Sequence, residues 1–180
     1  MTVTGGHRAH WADDIHALFR AHTITLVSMV PDAGHQRLIE LCQADSGIRT
    51  VTLTTEEEGV ALAAGAWLGG TRSALLIQSS GVGNCVNMLS LPRICHLPLF
   101  VLVTVRGEWG EFNPWQVPMG QSTPAVLEAS GVTVFRADTP DEVGPTIEGA
   151  SQLAWQSRRR VAVLLSQRLI GAKRFEEAAR

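Results

Sequence analysis

Six short apolar runs, separated by stretches of helical character, constrain what this chain can fold into. The runs are Ile24–Val30, Arg49–Leu53, Ser73–Gln78, Leu97–Val105, Val132–Arg136 and Val161–Ser166. Each is too short for a stable helix, and most are rich in β-branched residues, so each reads as a strand. Leu97–Val105 is apolar almost throughout, as expected of a strand buried on both faces of a sheet. Between the runs lie helical segments: Trp11–His22, a segment reaching about Ala44 that Asp32 is placed to cap, Glu56–Gly70, and Thr139–Gln156, which starts on the capping box Thr139-x-x-Glu142. Alternation of this kind predicts an α/β fold with a six-stranded, mostly parallel sheet and helices on both faces. The 180 residues suit one domain, 1–180, with 1–9 and 171–180 as tails.

Parallel sheets of this type bind ligands beyond the carboxyl ends of their strands. That rule selects Pro31-Asp32, Thr54 to Glu58 and Gln78 to Asn84 as the stretches to examine. Two further readings are set against a ligand role. His35, near a helix start, is by default a packing or surface histidine, and His96 before Leu97-Pro98 is structural.

Composition narrows the function classes. Net charge is −2 with no basic stripe, so nucleic-acid binding by counterion release has little support. The run Arg158-Arg159-Arg160 reads as a solvated helix end. The cysteines, Cys42, Cys85 and Cys95, form neither a metal motif nor a disulfide framework. They read as core filler in a reducing, cytoplasmic setting. No histidine spacing suggests a protein-held metal, no apolar stretch is clean enough to span a membrane, and Met1 to His10 lacks the apolar region of a signal peptide.

Three motifs remain. Thr55-Glu56-Glu57-Glu58 opens a helix, with Thr55 as N-cap and Glu58 closing a capping box, while Glu57 complements the helix dipole. Glu56 is left without a capping task, at the mouth of a helix that is apolar all round and therefore needs burial. Gln78-Ser79-Ser80-Gly81-Val82-Gly83-Asn84 reads as a strand end and tight glycine loop before a helix, but Val86 stands where a dinucleotide fingerprint has its third glycine. Arg106 to Gly120 holds three glycines, two prolines, two tryptophans and two glutamates without a clean period. It reads as a long functional loop.

Four stretches together carry a resemblance: Val30-Pro31-Asp32, Glu56 through Gly65, Gln78 through Asn84, and Gln116-Val117-Pro118-Met119-Gly120. In this order they resemble the pyrimidine-binding domain of thiamine-diphosphate enzymes, over about residues 10–170. The likeness is strongest to the alpha subunit of sulfopyruvate decarboxylase and to the matching region of phosphonopyruvate decarboxylase. The family's activating glutamate stands nine residues before a glycine, and counting back from Gly65 selects Glu56. The resemblance implies that Glu56 hydrogen-bonds N1′ of the cofactor's aminopyrimidine and activates it for 2-oxo acid decarboxylation. It also implies cofactor contacts from Ser80, Gly81 and Pro31, substrate contacts from Asp32, His35 and Gln116, and an anion-binding role for Arg106.

Thiamine diphosphate needs Mg²⁺ and a diphosphate site, which the family supplies through a Gly-Asp-Gly motif. This chain contains none. The resemblance therefore implies a beta subunit carrying the diphosphate-binding domain, in an α2β2 or larger assembly. Phe112 and Trp115 make the long loop more aromatic than the family pattern, which brings a larger, less charged 2-oxo acid into consideration beside sulfopyruvate and phosphonopyruvate; carboligation is a further alternative. Two readings of other classes are a non-catalytic anion- or nucleotide-binding module, resting on the glycine loop, and a regulatory subunit that has kept the fold. Glu56 counts against both.

Overall fold

The computed structural model describes residues 10–172, so the tails at 1–9 and 173–180 lie outside the described residues. Six strands form one sheet: β1 (Ile24–Met29), β2 (Arg49–Thr52), β3 (Arg72–Gln78), β4 (Leu99–Thr104), β5 (Thr133–Ala137) and β6 (Arg160–Leu165). Their order is β2-β1-β3-β4-β6-β5, and every neighbouring pair is parallel. The expected sheet is thus present, wholly rather than mostly parallel.

Side-chain alternation along the central strands builds two cores. Phe100 and Leu102 of β4, Ala74 and Leu76 of β3, and Val161 and Val163 of β6 point to one face. Leu99, Val101 and Val103 join Leu75, Ile77, Ala162 and Leu164 on the other. The first face is covered by α1 (Trp11–Ala21), α2 (Gln36–Ala44) and α7 (Pro140–Gln156); the second by α3 (Glu56–Leu68), α4 (Ser79–Cys85) and α6 (Val117–Ala129), with the short α5 (Ser90–Ile94) beside them. Burial on both faces explains why β3, β4 and β6 read as continuous apolar runs. α8 (Gln167–Ile170) follows β6.

Several local expectations change. Residues 79–83 are not a loop: α4 starts directly on Ser79, at the end of β3. The long loop is shorter than expected, because Pro114–Gln116 forms a 3-10 turn and Val117 opens α6. Pro118 falls in the first turn of α6, where no intrahelical N–H is needed. Gly120 is required there, since a Cβ would collide with the Arg106 carbonyl oxygen. Asp32 caps a 3-10 turn, Ala33–His35, ahead of α2. The capping box at Thr139 forms, but the one at Thr55 does not. There the Glu58 carboxylate accepts instead from the Thr54 amide at 2.9 Å.

The register aligns the strand ends. Gln78 lies opposite Thr104, and Thr104 opposite Leu165. This brings the segments that follow β1, β3, β4 and β6 to one edge. Among the described residues, no helix is long and apolar enough to cross a membrane.

Candidate active site

Glu56 is the first residue of α3, turned inward by the extended conformation of Thr55. It is only 9% exposed. Its Oε2 accepts a hydrogen bond from Asn84 Nδ2 at 2.7 Å. Gly81 lies against the same carboxyl, and a Cβ at that position would occupy the space of Glu56 Cγ, Cδ and Oε1. Gly81 and Asn84 are three residues apart on α4 and so share a face. Of the three adjacent glutamates, Glu56 is the one hydrogen-bonded to α4. Glu58 is exposed and caps the strand end, while Glu57 keeps one buried carboxyl oxygen without a hydrogen-bond partner.

α4 is itself fastened. Ser79 Oγ accepts from the Arg106 amide at 3.1 Å, and the Ser79 carbonyl accepts from Thr123 Oγ1 of α6 at 3.4 Å. Ser80 is exposed and donates its hydroxyl to Gln78 Oε1 at 2.9 Å. Gln78 Nε2 in turn donates to Asp32 Oδ1 at 2.7 Å. A chain of side chains therefore joins the Gly81 turn to the end of β1.

Asp32 is the hub of this chain. Its Oδ2 accepts from Thr104 Oγ1 at 2.8 Å and from the Gly34 amide at 2.9 Å. Burial by itself would raise the Asp32 carboxyl, but the bonds from Gln78 and Thr104, helped by His35 and the Gly34 amide, hold it below its ordinary range. Asp32 is thus a fixed carboxylate that ties three strand ends together. Pro31 is exposed and, with Asp32 and Gln36, borders an open hollow of about 360 Å³.

Two residues expected to face the substrate have partners within the chain. His35 is fully buried, with Nε2 at 3.1 Å from the Ile77 carbonyl. Burial pushes its imidazole below the usual value, and its Nδ1 is buried without a hydrogen-bond partner. Arg106 is not a free cation. Its guanidinium makes a bidentate pair with Glu111, at 2.7 and 2.6 Å, and lies 5.9 Å from the Phe112 ring centre. It anchors the loop after β4. Gln116 ends the 3-10 turn before α6, and its Oε1 is buried without a partner.

The core-filler reading of the cysteines holds for two of three. Cys42 and Cys85 are buried, and burial pushes each thiol up to about 12, which leaves no thiolate at neutral pH. Cys95 is exposed. Among the described residues no group of three or more His, Cys, Asp or Glu is placed to hold a metal ion.

No family model matches the chain. Individual proteins do. The sulfopyruvate decarboxylase subunit alpha of Methanococcus maripaludis is 36% identical over 143 residues, covering 79% of this chain and 86% of the relative. That of Methanothermobacter thermautotrophicus is 35% identical over 155 residues, covering 86% and 94%. The chain belongs to the sulfopyruvate decarboxylase alpha-subunit family. A longer sulfopyruvate decarboxylase from Methanosarcina acetivorans matches at 36% identity over 120 residues, which is 66% of this chain but 31% of that protein. Phosphonopyruvate decarboxylases of Streptomyces also match. The fold is shared with a 2-oxoglutarate:ferredoxin oxidoreductase from Magnetococcus marinus, at a TM-score of 0.69 and 16% identity, over 90% of this chain and 29% of that one.

Within this sulfopyruvate decarboxylase-type alpha chain, the expected residues Glu56 and Gly81 come together, Ser80 is linked through Gln78 to Asp32 instead, and His35 and Arg106 contact the Ile77 carbonyl and Glu111. Sequence reasoning gave Thr104 no place and quoted Gln78 and Asn84 only as the ends of a motif, with no role for either. Asn84 becomes visible only once 79–85 is read as a helix, because a loop gives no reason to pair it with Gly81.

Proposed function

We propose that this chain is the alpha subunit of a two-subunit, thiamine-diphosphate-dependent 2-oxo acid decarboxylase acting on sulfopyruvate or a related 3-substituted pyruvate. The observation that carries the proposal is the buried Glu56 carboxyl, held by Asn84 against a glycine that has no Cβ to obstruct it. Such a carboxyl fits a ring nitrogen: Glu56 would hold a proton on a hydrogen bond to N1′ of the aminopyrimidine, with Gly81 and Ser80 beside the ring. When bound, the cofactor supplies an electron-accepting ring for the electrons released as CO₂ leaves. Burial strengthens the Glu56 contact, since a low local dielectric weakens screening.

The diphosphate and Mg²⁺ would be held by a beta subunit. Two observations support this division. The chain has no Gly-Asp-Gly, and the longer Methanosarcina relative devotes about a third of its length to the region matched here. α3 and α5 also leave apolar side chains uncovered, with Leu68 76% and Ile94 74% exposed. Exposed apolar surface of this kind suits a subunit contact.

A second reading of the substrate is favoured by the loop after β4. Its buried arginine is neutralised by Glu111, while Trp115 is 85% exposed. A larger, less charged 2-oxo acid suits these residues better than a sulfonate does, unless the partner chain supplies the cation.

The division of the cofactor site is tested by calorimetry. The isolated chain is expected to show no heat of binding and no thermal shift with thiamine diphosphate and Mg²⁺. The mixture with its partner is expected to gain roughly 2.7 kcal/mol at one hundred times the dissociation constant. Tight binding by the isolated chain would overturn the division. Gly81→Ala tests the fit of the glutamate: the new Cβ must displace the Glu56 carboxyl, so kcat is expected to fall by roughly 10-fold or more, with about 1–2 kcal/mol of lost stability. Unchanged kcat in a folded variant would show that the close approach has no role in turnover.

A further inference from the structure

We infer that Asn84 is a positioning residue that assigns different tasks to the two oxygens of Glu56: its amide holds Oε2 and leaves Oε1 to carry and pass the proton. The inference rests on the proposed role of Glu56. An amide N–H only donates, so an oxygen that accepts it brings no proton of its own into that contact. With Oε2 engaged at 2.7 Å, the proton of a protonated Glu56 belongs on Oε1, the oxygen packed against Gly81. The donor is well placed for this. Asn84 and Gly81 share one face of α4, and α4 is tied to the Arg106 amide and to Thr123 through Ser79. A free carboxyl at a helix mouth would rotate about its last bond; the Asn84 contact removes that freedom.

The neighbouring titratable groups are Glu57 on the same helix and Cys85 on α4, whose thiol interacts with both glutamates and stays protonated through neutral pH. Neither donates in place of Asn84.

The test is a side-chain ¹³C NMR titration of glutamate-labelled chain without cofactor, the Glu56 signal being assigned by its absence in Glu56→Gln. Asn84→Ala removes the donor to the charged form, and the Glu56 midpoint is expected to rise. Asn84→Asp adds a like charge and is expected to raise it further. In the assembled enzyme with thiamine diphosphate and Mg²⁺, Asn84→Ala is expected to lower kcat about 10-fold with KM nearly unchanged. The limb of the pH profile should move in the same direction as the NMR midpoint, and Asn84→Gln, which keeps an amide donor, should recover part of the loss. An identical midpoint in parent, Ala and Asp chains would overturn the inference, as would a change confined to KM. Should Glu56→Gln stay active, the role of Glu56 fails separately, because the titration reports on the contact without reference to turnover.

Discussion

Glu56→Gln is expected to fold and assemble as the parent does and to lose on the order of 10³ in kcat. Folding is preserved because the substitution is isosteric and the new amide oxygen still accepts from Asn84 Nδ2. No buried charge is stranded, so stability should stay within about 1 kcal/mol of the parent. Turnover is lost because an amide can neither carry nor surrender an acidic proton at the oxygen beside Gly81. A factor of 10³ corresponds to about 4 kcal/mol of transition-state stabilisation. The control is Glu58→Gln, whose carboxylate only accepts from the Thr54 amide. It is expected to cost up to about 1 kcal/mol of stability and to leave kcat unchanged. Steady-state kinetics of both variants, with thermal melts, check the pair; equal loss in the two would remove the distinction between the glutamates.

Glu111→Gln is expected to have the largest effect on stability, about 3 kcal/mol or more. The Arg106 and Glu111 side chains are 8% and 3% exposed. Glu111 also accepts from the Asn113 amide at 3.0 Å and from Gln167 Nε2 at 2.9 Å, so it organises the whole loop after β4. Neutralising it leaves a buried guanidinium without its counter-charge. The same pair sets the acid limb of stability. The Arg106 hydrogen bond, outweighing the effect of burial, lowers the Glu111 carboxyl from an ordinary 4.5 to about 2. A carboxyl lowered in the folded state contributes stability that is fully present above 4.5 and is lost as pH falls from there towards 2. Thermal melts across this range should therefore show a steeper acid decline in the parent than in Glu111→Gln. Parallel declines would show that another group governs the acid limb.

The features that sequence reading captured and those it missed differ in how far along the chain their causes lie. The strands were legible because β3, β4 and β6 are buried on both faces, which leaves continuous apolar runs such as Leu99–Thr104. α6 was not, because Pro118, Gly120 and Pro124 carry low helix propensity. Its first turn is instead shaped by contact of Gly120 with the distant Arg106 carbonyl. Arg106 and Glu111 lie in a stretch with no period, so nothing local announced that they pair. Asp32 and His35 were placed correctly at the end of β1, but the 3-10 turn carries the His35 ring beneath the sheet edge, where the Ile77 carbonyl meets it. Glu56 was selected by its spacing to Gly65 within a family pattern, and capping logic agreed only in part. Glu58 caps one residue earlier than a capping box requires, and Glu57 keeps one buried oxygen without a partner. What local pattern could not supply was Asn84, since its meaning depends on α4 beginning without a loop.

The central claim is that this chain contributes one half of a decarboxylase site and Glu56 completes it. It is tested most directly by following CO₂ release from sulfopyruvate and from bulkier 2-oxo acids. The mixture would contain this chain, a partner carrying Gly-Asp-Gly, thiamine diphosphate and Mg²⁺. Release is expected only when both chains and the cofactor are present, and to disappear when Glu56→Gln replaces the parent. Release by the partner alone at the same rate, or full release with Glu56→Gln, would refute the claim.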